Sequence, residues 1–140
     1  MELMSEQVDI HKAGGVIIKD RHFLVTRAQG KDVFVAPGGK LELGETAVQA
    51  LIRELMEEVQ MSVEEQDVEQ IGTFTAQAAG NESKVVEMEV FLVNNASGEP
   101  VPTSEVEEVM WVNSQTTGVK MGSIFEHDVM PLLKQKDLID

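Results

Sequence analysis

The sequence contains no cysteine and no tyrosine among its 140 residues. Without cysteine, disulfides, thiolate zinc sites, iron–sulfur clusters and cysteine nucleophiles are all excluded. Any metal ion must therefore be held by oxygen ligands or by histidine. The 3 histidines show no spacing typical of metal ligands, so oxygen ligands are the stronger expectation.

Basic residues are scarce as well. The chain has 11 lysine and arginine residues against 25 acidic residues, which gives a net charge of −14 at pH 7. This charge repels nucleic-acid backbones and anionic membranes, so we expect no nucleic acid polymer as a partner. It would also repel a small anion such as a nucleotide unless a divalent cation lay between the two.

Long apolar runs are missing too, and none approaches the length of a membrane span. The first residues are acidic, unlike a secretory signal, so the sequence predicts a cytoplasmic protein without a membrane partner. Hydrophobic residues make up 42% of the chain and charged residues 26%, as in ordinary globular domains. Because no linker or internal repeat divides the chain, we expect residues 1–140 to form one domain.

The hydrophobic pattern predicts a mixed α/β protein. Strands are expected at 8–19, 22–27, 68–78, 84–93 and 109–112, and the first two of them form a hairpin. Pro37 and the two glycines after it predict the start of a loop. Helices are expected at 46–60, where apolar residues recur at three- and four-residue steps, and at about 123–136. Pro131 would kink the second helix or start a new one.

One side of the first predicted helix carries three carboxylates. Glu54, Glu57 and Glu58 are spaced so that they share an arc of about 100° beside the apolar face. Like charges at this spacing destabilise a helix, and Arg53 is the only basic residue of the segment. Since one arginine cannot neutralise three carboxylates, the cluster favours a hard cation such as Mg²⁺ or Mn²⁺. A solvated acidic helix face is the alternative for the carboxylates alone.

A longer pattern surrounds these carboxylates. Gly39 is followed after five residues by Glu45, and Glu45 after seven residues by the run Arg-Glu-Leu-Met-Glu-Glu at 53–58. This pattern resembles the Nudix box, G-x5-E-x7-R-E-U-x-E-E-x-G-U, in which U is a bulky apolar residue. The box would span 39–61 here. Gln60 departs from it, since it stands where the family has a glycine that normally supplies a left-handed conformation.

The resemblance implies a Nudix-type α/β/α sandwich around a mixed β-sheet, formed by a single Nudix hydrolase domain over residues 1–140. It implies a metal-dependent pyrophosphohydrolase that cleaves a diphosphate bond by attack of water on phosphorus. The substrate would be a nucleoside triphosphate, or a nucleoside diphosphate linked to another moiety, and family members often form homodimers. The alternative is a non-catalytic Nudix-fold module that binds a nucleotide or a protein in a regulatory role.

The resemblance also implies roles for individual residues. Mg²⁺, or Mn²⁺ in its place, would be bound by the helix carboxylates Glu54, Glu57 and Glu58, with a backbone carbonyl near Gly38 as a further ligand. Arg53 would pair with Glu45 and so fix the loop that begins at Gly39 against the helix. A bidentate arrangement of this kind requires arginine, because lysine cannot reproduce it.

The general base and the substrate-binding residues are less sharply marked. Glu108 is the first candidate base, because residues 105–111 resemble a recurring family stretch, E-x-x-E-x-x-W, that can deliver an acid over the metal site. Glu57 is the second candidate, and a solvated loop is the alternative for the acids of that stretch. Arg27 and Lys31 flank the start of the predicted loop and are candidates for contacts with substrate phosphates. Plain surface charge is the alternative for these two residues.

Overall fold

The computed structural model describes residues 8–78 and 81–140. In these residues the strands are β1 (Ile10–Val16), β2 (Ile18–Lys19), β3 (His22–Ala28), β4 (Phe34–Val35), β5 (Gly38–Lys40), β6 (Val68–Ala78), β7 (Asn81–Val93) and β8 (Val106–Val112). The helical segments are α1 (Ala47–Val59), a 3-10 turn (Glu65–Asp67), a π-helical turn (Phe125–Val129) and α2 (Met130–Gln135). No helix in this part of the chain is long and apolar enough to cross a membrane.

The strands form two sheets. The first sheet is mixed and has the order β5-β1-β7-β6, in which β1 and β7 are parallel and the other neighbours are antiparallel. In the second sheet, β3 pairs antiparallel with β2, β4 and β8. The predicted mixed α/β class is confirmed, and the second sheet accompanies the mixed sheet that the resemblance implied.

The mixed sheet lies between helices on its two faces. Phe91 of β7 belongs to the same buried cluster as Leu55 of α1. The preceding residue, Val90, belongs to a second cluster that contains Phe125 and Leu133 of the C-terminal helices. Because successive residues of a strand point to opposite faces, α1 and the C-terminal helices cover opposite faces of the sheet. The expected α/β/α sandwich is therefore confirmed.

The predicted hairpin is confirmed only at its end, where Ile18 of β2 pairs with Phe23 of β3. The single strand predicted at 8–19 is wrong, because β1 belongs to the first sheet and pairs with β5 and β7 instead. Two strands start earlier than expected, because the residues at their starts are mostly polar and do not extend the hydrophobic pattern from which the strands were predicted. The strand predicted from residue 84 begins at Asn81, and the strand predicted from residue 109 begins at Val106. Pro131 lies in the first turn of α2, directly after the π-helical turn, where it marks a new start of α-helix.

The loop predicted to begin at Pro37 is wrong, because the next three residues form β5. In this strand Gly39 pairs with Ala13 of β1. Gly38 has a φ of 148°, and a Cβ atom at this position would collide with the carbonyl oxygen of Ala13. Glycine thus lets the backbone approach β1 closely enough to pair with it, although glycine and proline usually end a strand.

The ends of α1 explain its length. Thr46 accepts a hydrogen bond from the backbone N–H of Gln49, and the Gln49 side chain accepts one from the backbone N–H of Thr46, which forms a capping box. At the other end Gln60 adopts the left-handed conformation, with φ 58° and ψ 35°. The helix predicted at 46–60 is confirmed. Gln60 takes the backbone conformation that glycine supplies in the Nudix box, although it carries a side chain.

Replacing Gln60 by glycine should therefore stabilise the protein. A residue with a Cβ atom is strained in the left-handed region, and relief of this strain should raise the free energy of unfolding by about 1 kcal/mol. Urea denaturation would measure the change. Met56→Gly is the matched control, because Met56 is exposed within α1, where glycine should lower the free energy of unfolding by about 1 kcal/mol. Destabilisation of the Gln60→Gly variant to the level of the control would contradict this account.

Candidate active site

A cleft of about 390 Å³ opens where α1 meets the edge of the mixed sheet. We call it the acidic cleft, and its lining residues are Lys12, Gly38, Gly39, Lys40, Glu54, Glu58 and Glu105. The lysines and glycines come from β1 and β5, two of the glutamates come from α1, and the third precedes β8. The cleft therefore brings together segments that lie far apart in the sequence.

The two glutamates from α1 are half-buried in this cleft. Glu58 accepts a hydrogen bond from the backbone N–H of Gly38, with 3.0 Å between nitrogen and oxygen. Burial, together with the nearby charges of Glu54 and Glu105, nevertheless raises the pKa of Glu58 to about 7. Burial also raises the pKa of Glu54. The protein thus holds carboxylates here whose ionised forms it stabilises only in part.

Arg53 connects the helix to the loop, as the resemblance implied. Its Nε and Nη2 donate to the two carboxylate oxygens of Glu45 at 2.7 and 3.0 Å, and Nη2 also donates to the carbonyl oxygen of Lys40 at 3.1 Å. The bidentate pair holds the pKa of Glu45 at about 2, well below its ordinary value of 4.5. Arg53 thereby ties both the end of β5 and the following loop to α1.

Glu57 lies outside the lining of the acidic cleft. Its side chain is 52% exposed, and its carboxylate pairs with Nη1 of Arg53 at 3.2 Å. The same Nη1 lies 3.3 Å from the carboxylate of Glu54. Of the three carboxylates predicted to bind metal, the structure therefore places those of Glu54 and Glu58 in the cleft. The third, that of Glu57, forms an ion pair with Arg53 beside the cleft.

Gly39 makes room for one of the carboxylates in the cleft. A Cβ atom at Gly39 would collide with the side chain of Glu54. The glycine at the start of the Nudix-box pattern therefore lets a helix carboxylate lie directly against the backbone of β5. This contact gives a packing reason for the spacing between Gly39 and the helix glutamates.

The structure does not bring Glu108 to the acidic cleft. Glu108 lies directly opposite Arg27 in the pairing of β8 with β3, and Nε of Arg27 donates to its carboxylate at 3.1 Å. Arg27 also pairs with Glu107 at 3.1 Å and donates to the carbonyl oxygen of Lys31 at 2.9 Å. Arg27 and Lys31 likewise lie outside the cleft lining, and the guanidinium group is engaged with protein acceptors.

Three residues that line the cleft, Lys12, Lys40 and Glu105, were not predicted as site residues from the sequence. Glu105 belongs to the same E-x-x-E-x-x-W stretch as Glu108, and the structure places Glu105 rather than Glu108 in the lining of the cleft. The pairing of β8 with β3 separates them, because it begins only after Glu105. Lys12 carried no motif at all and reaches the cleft through its place in β1.

A second cleft adjoins the first. We call it the apolar cleft, and its lining residues are Lys12, Val35, Ala76, Gln77, Val86, Met88, Gly122, Ser123, Ile124 and Phe125. It encloses about 160 Å³ between the mixed sheet, β4 and the start of the C-terminal helices. Lys12 is the one residue that its lining shares with the acidic cleft.

The donor chemistry of the acidic cleft fits a hard divalent cation. Half-buried carboxylates with raised pKa values are stabilised by a nearby positive charge, and Mg²⁺ prefers one or two carboxylates together with water and phosphate oxygens. Among residues 8–78 and 81–140, no three acidic or histidine side chains are arranged so that they could hold a metal ion by themselves. Glu54 and Glu58 thus provide part of a coordination shell that water and substrate would complete.

The Arg53–Glu45 pair predicts a pH dependence of stability. Because the pKa of Glu45 is lowered in the folded state, the pair stabilises the fold above the ordinary pKa of 4.5, and this stabilisation is lost as the pH falls towards about 2. Urea denaturation should show that Glu45→Gln lowers the free energy of unfolding at pH 7, and that the difference from wild type shrinks as the pH falls. Glu42→Gln is the control, since Glu42 is 3.8 Å from Arg53 and 69% exposed. A difference for Glu45→Gln that is independent of pH would contradict the assignment.

Comparison with known proteins identifies the family. The model of the NUDIX domain matches residues 9–133. A zebrafish (Danio rerio) protein named oxidized purine nucleoside triphosphate hydrolase is 30% identical over 101 residues, which cover 71% of this chain and 61% of that protein. The chain thus matches less than two thirds of the zebrafish protein's length.

Solved structures show the same fold. A MutT Nudix hydrolase from Burkholderia pseudomallei superposes with a TM-score of 0.73 at 23% identity, over 93% of this chain and 98% of that chain. The MutT protein from Bacillus halodurans superposes with a TM-score of 0.66 at 22% identity, over 84% and 80% of the two chains. Nudix hydrolases generally use divalent metal ions and act on small nucleotide substrates. The family model matches residues 9–133, which include every residue that lines the acidic cleft. Because this match covers most of the sequence, the chain belongs to the Nudix family.

Proposed function

We propose that this chain is a metal-dependent pyrophosphohydrolase and that residues 1–140 act as one Nudix hydrolase domain. It would cleave a diphosphate bond in a nucleoside triphosphate, or in a nucleoside diphosphate linked to another moiety. The observation that carries the proposal is the acidic cleft, where half-buried Glu54 and Glu58 meet Glu105 beside a loop that Arg53 holds in place. A binding module without catalysis does not need such a concentration of poorly neutralised carboxylates.

Glu54 and Glu58 are the proposed metal ligands, with the backbone near Gly38 as a further one. The ion would be Mg²⁺, with Mn²⁺ as a substitute, and when bound it would stabilise the charge that develops on the phosphate oxygens. Glu57 stays a predicted ligand, although Arg53 holds its carboxylate. Arg53 itself is proposed to act by orientation, because it fixes the helix carboxylates and the loop in one geometry.

Glu105 is the general base that we propose in place of Glu108. A general base must lie within hydrogen-bonding reach of the water molecule that it deprotonates. Glu105 lines the acidic cleft, whereas the carboxylate of Glu108 is engaged with Arg27. A base that comes from outside α1 also leaves the helix carboxylates free to serve as ligands.

A purine nucleotide is the proposed substrate class. The name of the zebrafish relative supports a purine nucleoside triphosphate. The apolar cleft supports a nucleoside moiety beside the phosphates, because Met88 and Phe125 offer apolar surface for a base, and Gln77 and Ser123 offer polar groups. Arg27 and Lys31 stay predictions as phosphate contacts. The expectations of a homodimer, of a cytoplasmic location and of no nucleic acid or membrane partner also stay predictions, and sedimentation analysis would test the dimer.

Hydrolysis can be tested with a substrate panel. We expect metal-dependent release of phosphate or pyrophosphate from one class among purine nucleoside triphosphates, their oxidised forms, dinucleoside polyphosphates and nucleotide sugars. Activity should appear with Mg²⁺ or Mn²⁺ and disappear with EDTA. If folded protein that still binds a nucleotide hydrolyses no compound of the panel, the result would favour the non-catalytic module.

Two substitutions test the proposed ligands. Glu54→Gln and Glu58→Gln should each lower kcat by about 10²- to 10³-fold, because each removes a charge that holds the ion at the reacting phosphate. Glu69→Gln, an exposed change on β6, is the control for the loss of one negative charge and should leave kcat unchanged. Activity of Glu58→Gln equal to that of the control would rule out Glu58 as a ligand.

The choice of base can be tested by comparing two neighbouring glutamates. Glu105→Gln should lower kcat by about 10²- to 10⁴-fold, as expected for loss of a general base. Glu108→Gln should keep most of the activity and instead lower the free energy of unfolding by up to about 1 kcal/mol, since it weakens a partly exposed ion pair with Arg27. The opposite pattern of kcat values would restore Glu108 as the base.

A further inference from the structure

Lys12 stands at the junction of the two clefts. It is a half-buried residue of β1, and it lines both the acidic cleft and the apolar cleft. It lies directly opposite Lys40 in the antiparallel pairing of β1 with β5, and directly opposite residues of such a pair have side chains on the same side of the sheet. Two positive charges therefore lie close together in a chain with a net charge of −14.

The ammonium group of Lys12 has no direct partner among residues 8–78 and 81–140. In the part of the chain that the structure describes, Lys12 forms no hydrogen bond and no ion pair within 4.0 Å, while Arg27 and Arg53 are fully engaged by carboxylates. Burial and the charge of Lys40 both disfavour its charged form and lower its pKa, and Glu58 and Glu54 offset this effect only in part. Such a site is stabilised by an additional anion.

Because Lys12 lines both clefts, its place corresponds to one part of a bound nucleotide. If the phosphates lie at the carboxylates of the acidic cleft and the nucleoside lies in the apolar cleft, the phosphate attached to the nucleoside lies at the residue that both clefts share. We propose that Lys12 is a positioning residue that binds the non-bridging oxygens of this phosphate. The inference rests on the proposed function for the placement of the nucleoside, and it deepens that proposal by assigning the contact that joins the two clefts.

Binding measurements without metal test this contact separately from hydrolysis. The probes are guanosine monophosphate, 8-oxoguanosine monophosphate and the two corresponding nucleosides, titrated by calorimetry in EDTA. Lys12→Met should weaken binding of the monophosphates by about 10- to 100-fold, as expected for loss of a charge-assisted hydrogen bond, and should leave binding of the nucleosides unchanged. Lys12→Arg keeps the positive charge and should recover part of the affinity.

Lys134→Met is the matched control, because it removes one exposed lysine from α2, outside both clefts. It should change neither the monophosphate nor the nucleoside affinity. Thermal unfolding of each variant checks that the fold is retained.

Three results would overturn the assignment of Lys12. The first is unchanged monophosphate affinity in Lys12→Met, and the second is an equal loss for monophosphates and nucleosides, which would mean that Lys12 only shapes the apolar cleft. The third is the absence of monophosphate binding to the wild-type protein. Monophosphate binding that depends on Lys12, in a protein that hydrolyses none of the panel, would instead refute the proposed catalysis and leave the contact standing.

Discussion

The site depends on the side chain of Arg53 and on the contacts that it makes with the loop before α1. One guanidinium group donates to both oxygens of Glu45 and to the carbonyl oxygen of Lys40, and it lies within ion-pair distance of Glu54 and Glu57. These contacts tie the end of β5 to the middle of the helix. Because only arginine presents donors in a rigid planar fork, this single residue can orient the loop and two helix carboxylates at once.

Arg53 also determines which carboxylates remain available. It donates hydrogen bonds to Glu45 and Glu57. Glu58 instead accepts a hydrogen bond from the backbone N–H of Gly38. The carboxylates of the acidic cleft are therefore buried without full compensation, which raises the pKa values of Glu54 and Glu58. These two half-buried carboxylates line a cleft that a cation and a phosphate group can reach. The lysines of β1 and β5 lie next to them and offer the opposite charge.

Much of the fold and part of the site could be predicted from local patterns. The apolar spacing of α1 and the turn between β2 and β3 depend on residues close together in the sequence, and the structure confirms the helix and this end of the hairpin. The strand β5 could not be predicted, because its glycines end strands in most contexts. Here they continue one, since the absence of a side chain at Gly38 permits close pairing with Ala13. That pairing partner lies far away in the sequence, so no local pattern contains it.

The sequence by itself determined the helix and the shared side of its carboxylates, because helical periodicity places such residues relative to one another. The pairing of Arg53 with Glu45 was implied by the resemblance to the Nudix box. Only the tertiary structure decided that Glu105 reaches the acidic cleft and that Glu108 pairs with Arg27. It also decided that Lys12 lies between the two clefts. The physical reason is strand register, since the partner of a strand residue depends on which distant strand lies beside it and at which offset.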